Sequence, residues 1–180
     1  MRKIMGGLLL AAALLTGCSA ASHDSHSPAP AQQADHNEAD IDFARMMIPH
    51  HEGAIAMAKL VPGRSTDQRV LDLAARIERA QDPEIQQMRG WLTQWGAPTS
   101  PMGHSMPGAM SDDQMTMLGH ATGTEFDQQF LRMMIEHHQG AVEMARTELA
   151  QGSFADAKAL AQRIIDTQQA EITEMQAMLA

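Results

Sequence analysis

The chain has 180 residues, which suits one domain with short appendages, and its formal net charge is −9. Acidic residues outnumber basic ones by 22 to 13 and tyrosine is absent, so nucleic-acid binding and the stacking of bases or sugars are disfavoured as functions. Methionine occurs 16 times and histidine 9 times, whereas the single cysteine has no partner for an intramolecular disulfide.

The first 18 residues have the pattern of a lipoprotein signal peptide. Arg2 and Lys3 precede an apolar run over residues 4–15, which is too short to span a bilayer as a permanent helix. The run ends in Leu15-Thr16-Gly17-Cys18, which is typical of a lipobox, and we expect Cys18 to be lipidated. An ordinary cleaved signal peptide with an incidental cysteine is the alternative. The pattern predicts an exported protein of the cell envelope, anchored to the membrane on its periplasmic or extracytoplasmic face.

Residues 19–36 are rich in alanine, serine, proline and glutamine, a composition that favours a flexible tether between the anchor and a folded domain. His23, His26 and His36 lie in this segment, and we interpret them as residues of a solvated linker, with weak metal binding as the alternative. The folded domain is expected to cover residues 37–180.

The folded domain contains one motif twice. Residues 43–59 read FARMMIPHHEGAIAMAK, and residues 130–146 read FLRMMIEHHQGAVEMAR, 87 positions later. The match continues beyond the motif, because Leu73, Arg76, Ile77, Gln81, Glu84, Ile85 and Met88 recur as Leu160, Arg163, Ile164, Gln168, Glu171, Ile172 and Met175. One unit has therefore been duplicated, with copies at residues 37–95 and 124–180, and each copy carries a His-His pair flanked by methionines.

The first repeat is predicted to be a helical hairpin. Asn37 begins a helix with Asp40 in its first turn, and Val61-Pro62-Gly63 ends that helix. Ser65 or Thr66 begins the second helix, which runs to about Trp95 before a Gly-Ala-Pro stop. Two such hairpins with apolar stripes must pair in order to bury them. The predicted fold is therefore an all-α four-helix bundle built from two duplicated hairpins.

A short helix and the second hairpin follow the linker. Ser111-Asp112-Asp113-Gln114 is typical of a capping box, and the short helix that it begins should end near His120. Thr124, with Asp127 three positions later, is expected to cap the third long helix, and Ser153 to begin the fourth.

The linker itself, residues 96–123, carries alternating methionine and histidine that core packing does not explain. Met102, His104 and Met106 are interpreted as a secondary copper-loading segment, with a disordered, methionine-rich connector as the alternative.

The His-His pairs and their methionines are the candidate metal ligands. On a helical wheel, the first histidine of each pair shares an arc with several methionines, and methionines alone would favour core filling. A buried imidazole, however, needs partners for both nitrogens, so two adjacent histidines at matching places in both repeats favour a metal site. The candidate ligands are His50, His51, His137, His138, Met46, Met47, Met57, Met133, Met134 and Met144.

Copper is the metal that this set of residues favours. Thioether sulfur is a soft ligand and imidazole a borderline one, and a mixed shell of the two selects copper, Cu(I) most clearly. Zinc makes little use of methionine. His51-Glu52 lacks the second histidine of a zinc-protease motif, and neither pair has the Glu-x-x-His spacing of a di-iron carboxylate bundle.

A carboxylate lies on the apolar stripe of the second helix of each repeat. Glu84 and Glu171 need partners at such positions, and they are expected to accept the free ring N–H of a ligand histidine or to bind the metal directly. The alternative is a structural salt bridge, for which the candidate partners are Arg45, Arg76, Arg132 and Arg163.

Both copies of Phe-x-x-Met-Met-Ile-x-His-His-x-Gly-Ala-x-x-Met-Ala, followed by Gln-x-x-Glu-Ile-x-x-Met, resemble the bacterial domain of unknown function 305 family. The resemblance covers residues 37–180 and implies a ferritin-like fold. Some members of that family are envelope proteins that bind copper and help cells to tolerate it, which implies the same role for the His and Met residues of this motif. Pro49, next to His50, departs from a simple helical pattern.

We therefore expect a membrane-tethered, ferritin-like protein that sequesters Cu(I) or Cu(II) or hands it on to other copper-handling proteins of the envelope. It is interpreted as a binding protein rather than an enzyme. One alternative is a metal-dependent redox enzyme on the same bundle, which turnover of bound metal under oxygen would indicate. The other is a structural or signalling module without metal, whose melting temperature copper would leave unchanged. The sequence leaves the oligomeric state open.

Overall fold

The computed structural model describes residues 35–100 and 106–180, in which five helices and no β-strand occur. The helices are α1 (Glu38–Ala58), α2 (Gln68–Trp95), α3 (Asp112–His120), α4 (Gly123–Gln151) and α5 (Ala155–Leu179). The predicted all-α architecture, with four long helices and a short one in the linker, is confirmed. The predicted signal peptide, Cys18 and the tether as far as residue 34 lie outside the described residues. None of the helices in the described ranges is long and apolar enough to cross a membrane.

The two repeats form the two hairpins of the bundle. α1 packs along α2, α4 packs along α5, and the hairpins meet mainly where α1 lies against α4. α3 lies against α4. The two helices that carry the His-His pairs are therefore in direct contact with each other.

Two of the predicted helix starts have the expected caps. The side chain of Asn37 accepts hydrogen bonds from the N–H groups of Ala39 and Asp40, and Asp40 accepts from the N–H of Asn37 at 2.6 Å. Ser111 and Gln114 form the same reciprocal arrangement at the start of α3. Each capping box satisfies N–H groups that have no partner inside the helix.

The other three predicted starts are wrong by one to two residues, and at α4 and α5 tertiary contacts replace the local caps. Asp67, not Ser65 or Thr66, caps α2. α4 begins at Gly123, before Thr124, and the N–H of Gly123 donates to the carbonyl of Arg64 at 2.7 Å. α5 begins at Ala155, after Ser153.

The start of α5 is capped by a residue of α1. Asp40 accepts hydrogen bonds from the N–H groups of Ser153 and Phe154 at 3.0 and 2.9 Å, so this carboxylate serves α1 and α5 together. A cap supplied from 113 positions away cannot be recognised in the local sequence.

A layer of polar side chains divides the apolar core into two clusters. The first cluster includes Phe43, Ile48, Leu92, Ala141 and Leu160, and the second includes Ala54, Ile77, Phe126, Met134 and Met175. In each long helix, the residues of the polar layer lie between residues of one cluster and residues of the other. The polar layer consists of His50, His51, Gln81, Glu84, His137, His138, Gln168 and Glu171, two from each long helix.

Far from this layer, Glu148 of α4 is buried beside Asp40. Glu148 is only 1% exposed, and neither of its carboxylate oxygens has a hydrogen-bonding partner in the described structure. Burial, and then the neighbouring Asp40 carboxylate, raise the pKa of Glu148 to about 8, against the opposing effect of Lys158. Burial would also raise the pKa of Asp40, but backbone N–H donors outweigh it and hold that pKa below its usual value.

We expect the substitution Glu148→Gln to change how stability depends on pH. The unfolded chain releases this proton near pH 4.5, whereas the folded protein keeps it to about pH 8. Folding therefore takes up a proton across this interval, and the contribution to stability is lost as the pH rises. Glu148→Gln should gain free energy of unfolding relative to the wild type between about pH 5 and 8, as measured by urea denaturation. The exposed Glu143→Gln on the same helix is the control, and identical profiles for Glu148→Gln and wild type would contradict the prediction.

Candidate metal centre

The polar layer brings the four predicted histidines together in the interior. His50 and His51 of α1 and His137 and His138 of α4 are each no more than 2% exposed. The rings of His50 and His137 touch across the seam between the hairpins, with centroids 3.7 Å apart and planes inclined by 41°. The centroid of His138 lies 6.5 Å from that of His137. The two repeats therefore contribute to one histidine cluster.

The second histidine of each pair is bound by a carboxylate of its own hairpin. Nε2 of His51 lies 2.8 Å from Oε2 of Glu84, and Nε2 of His138 lies 2.7 Å from Oε2 of Glu171. A carboxylate oxygen accepts the hydrogen bond, so Nε2 carries the proton and the lone pair is on Nδ1. Two of the four candidate ionic partners bind elsewhere, since Arg45 donates to the backbone of the linker and Arg76 pairs with Glu174.

The first histidine of α1 is bound by the linker. Nε2 of His50 lies 3.0 Å from the carbonyl oxygen of Pro107, which can only accept, so the lone pair of His50 is also on Nδ1. Burial, and next the neighbouring histidines, lower the pKa of His50 to about 3 and that of His137 to about 2. Both imidazoles are therefore neutral at the pH of the cell, which is the form that binds a metal ion.

Six buried polar atoms of the layer have no hydrogen-bonding partner in the described structure, and they form three repeat-related pairs. These are Nδ1 of His50, His51, His137 and His138, and Oε1 of Gln81 and Gln168. A buried polar group without a partner costs about 1–3 kcal/mol, and a native protein retains such groups mainly where water, an ion or a function accounts for them. Because the same buried atoms lack a partner in both repeats, we interpret them as atoms that bind an ion shared by the two repeats.

The methionines predicted as ligands border the layer on its two apolar sides. Met46, Met47 and Met144 lie on the side of the first cluster, and Met57, Met133 and Met134 on the side of the second. Met46 and Met133 are half-buried, and the other four are buried. Each methionine and its repeat counterpart lie on opposite sides, as an approximate two-fold axis through the layer requires. Met46 and Met144 also line a cavity of about 210 Å³ together with Pro107.

Among the described residues, no three histidine, cysteine or carboxylate side chains are grouped so that they could hold a metal ion by themselves. Glu84 and Glu171 are already engaged by histidines. The donors that remain at the layer are the imidazole Nδ1 atoms, the amide oxygens of Gln81 and Gln168, and the bordering thioethers. This set fits a soft or borderline ion such as Cu(I), and it does not fit Mg²⁺ or Ca²⁺.

Among its described residues, the linker contributes a backbone atom, the Pro107 carbonyl oxygen, to the histidine cluster. Met102 and His104 lie outside the described residues. Met106 begins a turn, Met106–Ala109, in which the N–H of Ala109 donates to the carbonyl of Met106 at 3.1 Å. The atom that reaches the histidines is the Pro107 carbonyl.

Two motif glycines, Gly53 and Gly140, have a structural role that the sequence analysis missed. A Cβ atom at Gly53 would lie 3.3 Å from Nε2 of His137, and one at Gly140 would overlap the carbonyl of Pro107. Glycine inside a helix is less favourable than alanine by about 1 kcal/mol, so its recurrence at equivalent positions was an available signal. Gly53 leaves room for the ring of His137, and Gly140 leaves room for the carbonyl of Pro107.

Comparison with known proteins identifies the family. The family described as domain of unknown function (DUF305) matches residues 40–179. The chain belongs to the DUF305 family. This confirms the family that the two copies of the motif resemble. No match was found among curated proteins.

Solved structures of DUF305 proteins share this fold. One from Streptomyces coelicolor, described as a predicted secreted protein, is 34% identical over 78% of this chain and 91% of its own, with a TM-score of 0.75. A fragment from Deinococcus radiodurans is 32% identical over 79% of this chain and 96% of its own, with a TM-score of 0.73. CopM in its Cu(I)-bound form is 34% identical over 77% of this chain and 94% of its own, with a TM-score of 0.68. CopM has also been solved with Cu(II) and with silver.

Proposed function

We propose that this DUF305 protein binds copper at the polar layer, with histidine Nδ1 atoms and the bordering methionine sulfurs together supplying the ligands. The observation that carries the proposal is the state of the four histidine rings: every Nδ1 is buried without a partner. Three of the four rings also have Nε2 fixed by an acceptor, namely Glu84, Glu171 or Pro107. An acceptor on the far nitrogen sets the tautomer and the orientation of a metal-binding histidine.

The surroundings of the layer favour Cu(I) as the bound ion. Thioethers border the layer on both sides, and the two central imidazoles need no deprotonation because their pKa values lie far below neutrality. CopM, at 34–36% identity, was crystallised with Cu(I) and with Cu(II), which supports copper as the ion for this chain as well.

The proposed role is to sequester copper in the cell envelope or to hand it on to other copper-handling proteins there. Apolar clusters enclose the layer on two sides, so a bound ion would be kept away from water and from oxidants. This enclosure suits storage of the ion.

Copper should stabilise the fold, and thermal unfolding with Cu(I), with redox-inert Ag(I) and with Zn(II) tests this. An ion at about 100 times its dissociation constant adds about 2.7 kcal/mol if only the native state binds it, and less here because the unfolded chain keeps its ligands. We expect the midpoint to rise with Cu(I) and Ag(I) more than with Zn(II). His120→Ala, which changes an exposed histidine outside the layer, is the matched control and should behave as wild type. A midpoint that is indifferent to both Cu(I) and Ag(I) would refute the proposal, and oxygen consumption by the copper-loaded protein would instead favour the redox enzyme.

Cys18, which lies outside the described residues, is proposed to carry the lipid anchor. We expect Cys18→Ser to release the protein from the membrane fraction of cells. Intact-mass measurement of the mature wild type should show an N-terminal lipidated cysteine. A mature N-terminus downstream of Cys18 with no lipid would exclude the anchor and leave an ordinary exported protein.

A further inference from the structure

The turn Met106–Ala109 lies directly on the backbone of α4 beside a histidine of the centre. A Cβ atom at Gly108 would lie 2.6 Å from the carbonyl oxygen of Glu136 and 3.0 Å from that of His137. A Cβ at Gly140, one turn further along α4, would overlap the Pro107 carbonyl. The contact between turn and helix therefore requires glycine on both surfaces.

The geometry of this turn leaves the Pro107 carbonyl free. Proline at the second position and glycine with φ of +71° at the third are typical of a type II turn. The internal hydrogen bond of the turn uses the carbonyl of Met106 and the N–H of Ala109. The carbonyl of Pro107 takes no part in that bond, and it accepts Nε2–H of His50 across the seam.

Two arginines tie the linker to the first hairpin on either side of this turn. The side chain of Arg45 donates to the carbonyl of Ser100 at 3.2 and 3.0 Å. Arg64 donates to the carbonyl of Gly119, at the end of α3, at 3.0 Å. These bonds attach the linker to the first hairpin before and after the turn.

We infer that Pro107 is a positioning residue of the copper centre, whose carbonyl orients His50 so that Nδ1 is its ligand atom. It does for His50 what the carboxylates of Glu84 and Glu171 do for His51 and His138. Unlike those carboxylates, it is a neutral acceptor, so it fixes the ring without adding negative charge to the centre. The inference rests on the proposed function for the metal and on the described geometry for the orientation.

The variants Gly108→Ala and Gly140→Ala test this by displacing the turn from opposite sides. Gly108→Ala adds a Cβ against α4 and puts alanine at a positive φ, and Gly140→Ala adds a Cβ against the Pro107 carbonyl. Gly90→Ala is the matched control, because Gly90 is an exposed helical glycine with open space around its Cβ position. It should fold as wild type or slightly better, since alanine is the better helix former.

The first measurement needs no metal. Nitrogen-15 NMR of the imidazole rings, with the His50 signals assigned from a His50→Gln variant, should show the Nε2–H tautomer for His50 in the wild type and in Gly90→Ala. Both displaced-turn variants should lose that signature and show a mixture of tautomers, while the helical circular dichroism is retained. A role of the turn in folding alone would not change the tautomer.

The second measurement is Cu(I) affinity by competition with a chromophoric chelator. Loss of a partner that orients a ligand typically costs about 10–100-fold in metal affinity, and we expect that loss in both displaced-turn variants but not in Gly90→Ala. If one variant does not fold, the other decides. Folded variants that keep the His50 tautomer, or that bind Cu(I) as tightly as wild type, would overturn the inference and leave copper binding intact. A wild type that binds no copper would instead overturn the proposed function, and with it the role of Pro107 at a metal.

Discussion

Metal-free protein is expected to lose stability steeply as the pH falls from about 6.5 to about 4.5. His50 and His137 have pKa values of about 3 and about 2 in the folded protein, because burial excludes the charged form, against 6.5 in the unfolded chain. Between these values the unfolded chain binds up to two more protons than the folded one, so stability falls with falling pH. One proton corresponds to about 1.4 kcal/mol per pH unit, so the two histidines together lose about 5 kcal/mol over two units, and the opposite proton uptake at Glu148 offsets about half of that loss. A typical domain has only about 5–15 kcal/mol in total.

His50→Gln isolates one of these protons. Glutamine has no proton to gain in this range, and its amide can still donate to the Pro107 carbonyl. Urea unfolding of the chelator-treated protein at several pH values should show the acid slope of His50→Gln reduced by about 1.4 kcal/mol per pH unit relative to wild type. His120→Gln, at an exposed position, should leave the slope as it is. An unchanged slope in His50→Gln would mean that His50 already accepts a proton inside the folded protein.

The burial of His50 and His137 also affects how copper affinity should depend on pH. A histidine with an ordinary pKa competes with protons between about pH 7 and 5, and copper affinity would fall there. His50 and His137 are neutral throughout that range, so a flat affinity does not count against them as ligands.

The internal duplication made most of the fold and of the centre predictable from one sequence. Because Glu84 recurs 87 positions later as Glu171, a contact with a ligand histidine was one of the roles expected for both, and the structure places hydrogen bonds from His51 to Glu84 and from His138 to Glu171. The periodic apolar residues set the helices, and the two-fold arrangement followed from the equivalence of the hairpins. Long-range information of this kind is available only for residues that both copies share.

The features that the sequence analysis missed occur only once or depend on distant contacts. The linker has no second copy, so nothing in the sequence relates Pro107 to His50, which lies 57 positions away. Asp40 looked like a local cap for α1, yet it also caps α5 and raises the pKa of Glu148. The wrong starts of α4 and α5 have the same cause, since a carbonyl and a carboxylate from other elements accept from the N–H groups that local caps were expected to bind.

The largest effect on metal binding is expected from the pair His50 and His137, which should act as one unit. Their rings are in contact at 3.7 Å between centroids, and the Nδ1 of each is buried without a partner. Ligands of one ion are strongly non-additive when they are removed, whereas ligands of separate ions are removed independently. We therefore expect His50→Ala and His137→Ala each to abolish most high-affinity Cu(I) binding, and the double variant to lose little more.

A double-mutant cycle that follows both Cu(I) stoichiometry and affinity decides between one shared centre and two separate ones. The coupling free energy between His50→Ala and His137→Ala should exceed the values of about 0.3–0.5 kcal/mol within which distant sites normally add. A parallel cycle of His50→Ala with His120→Ala should be additive, since His120 is exposed on α3 and outside the polar layer. The helical content and the unfolding midpoint of each variant show whether it is still folded, so that a loss of copper binding is not mistaken for a loss of folding. If each single substitution removes one copper and leaves the other bound at unchanged affinity, each hairpin holds its own ion and the contact between the two rings has no part in binding.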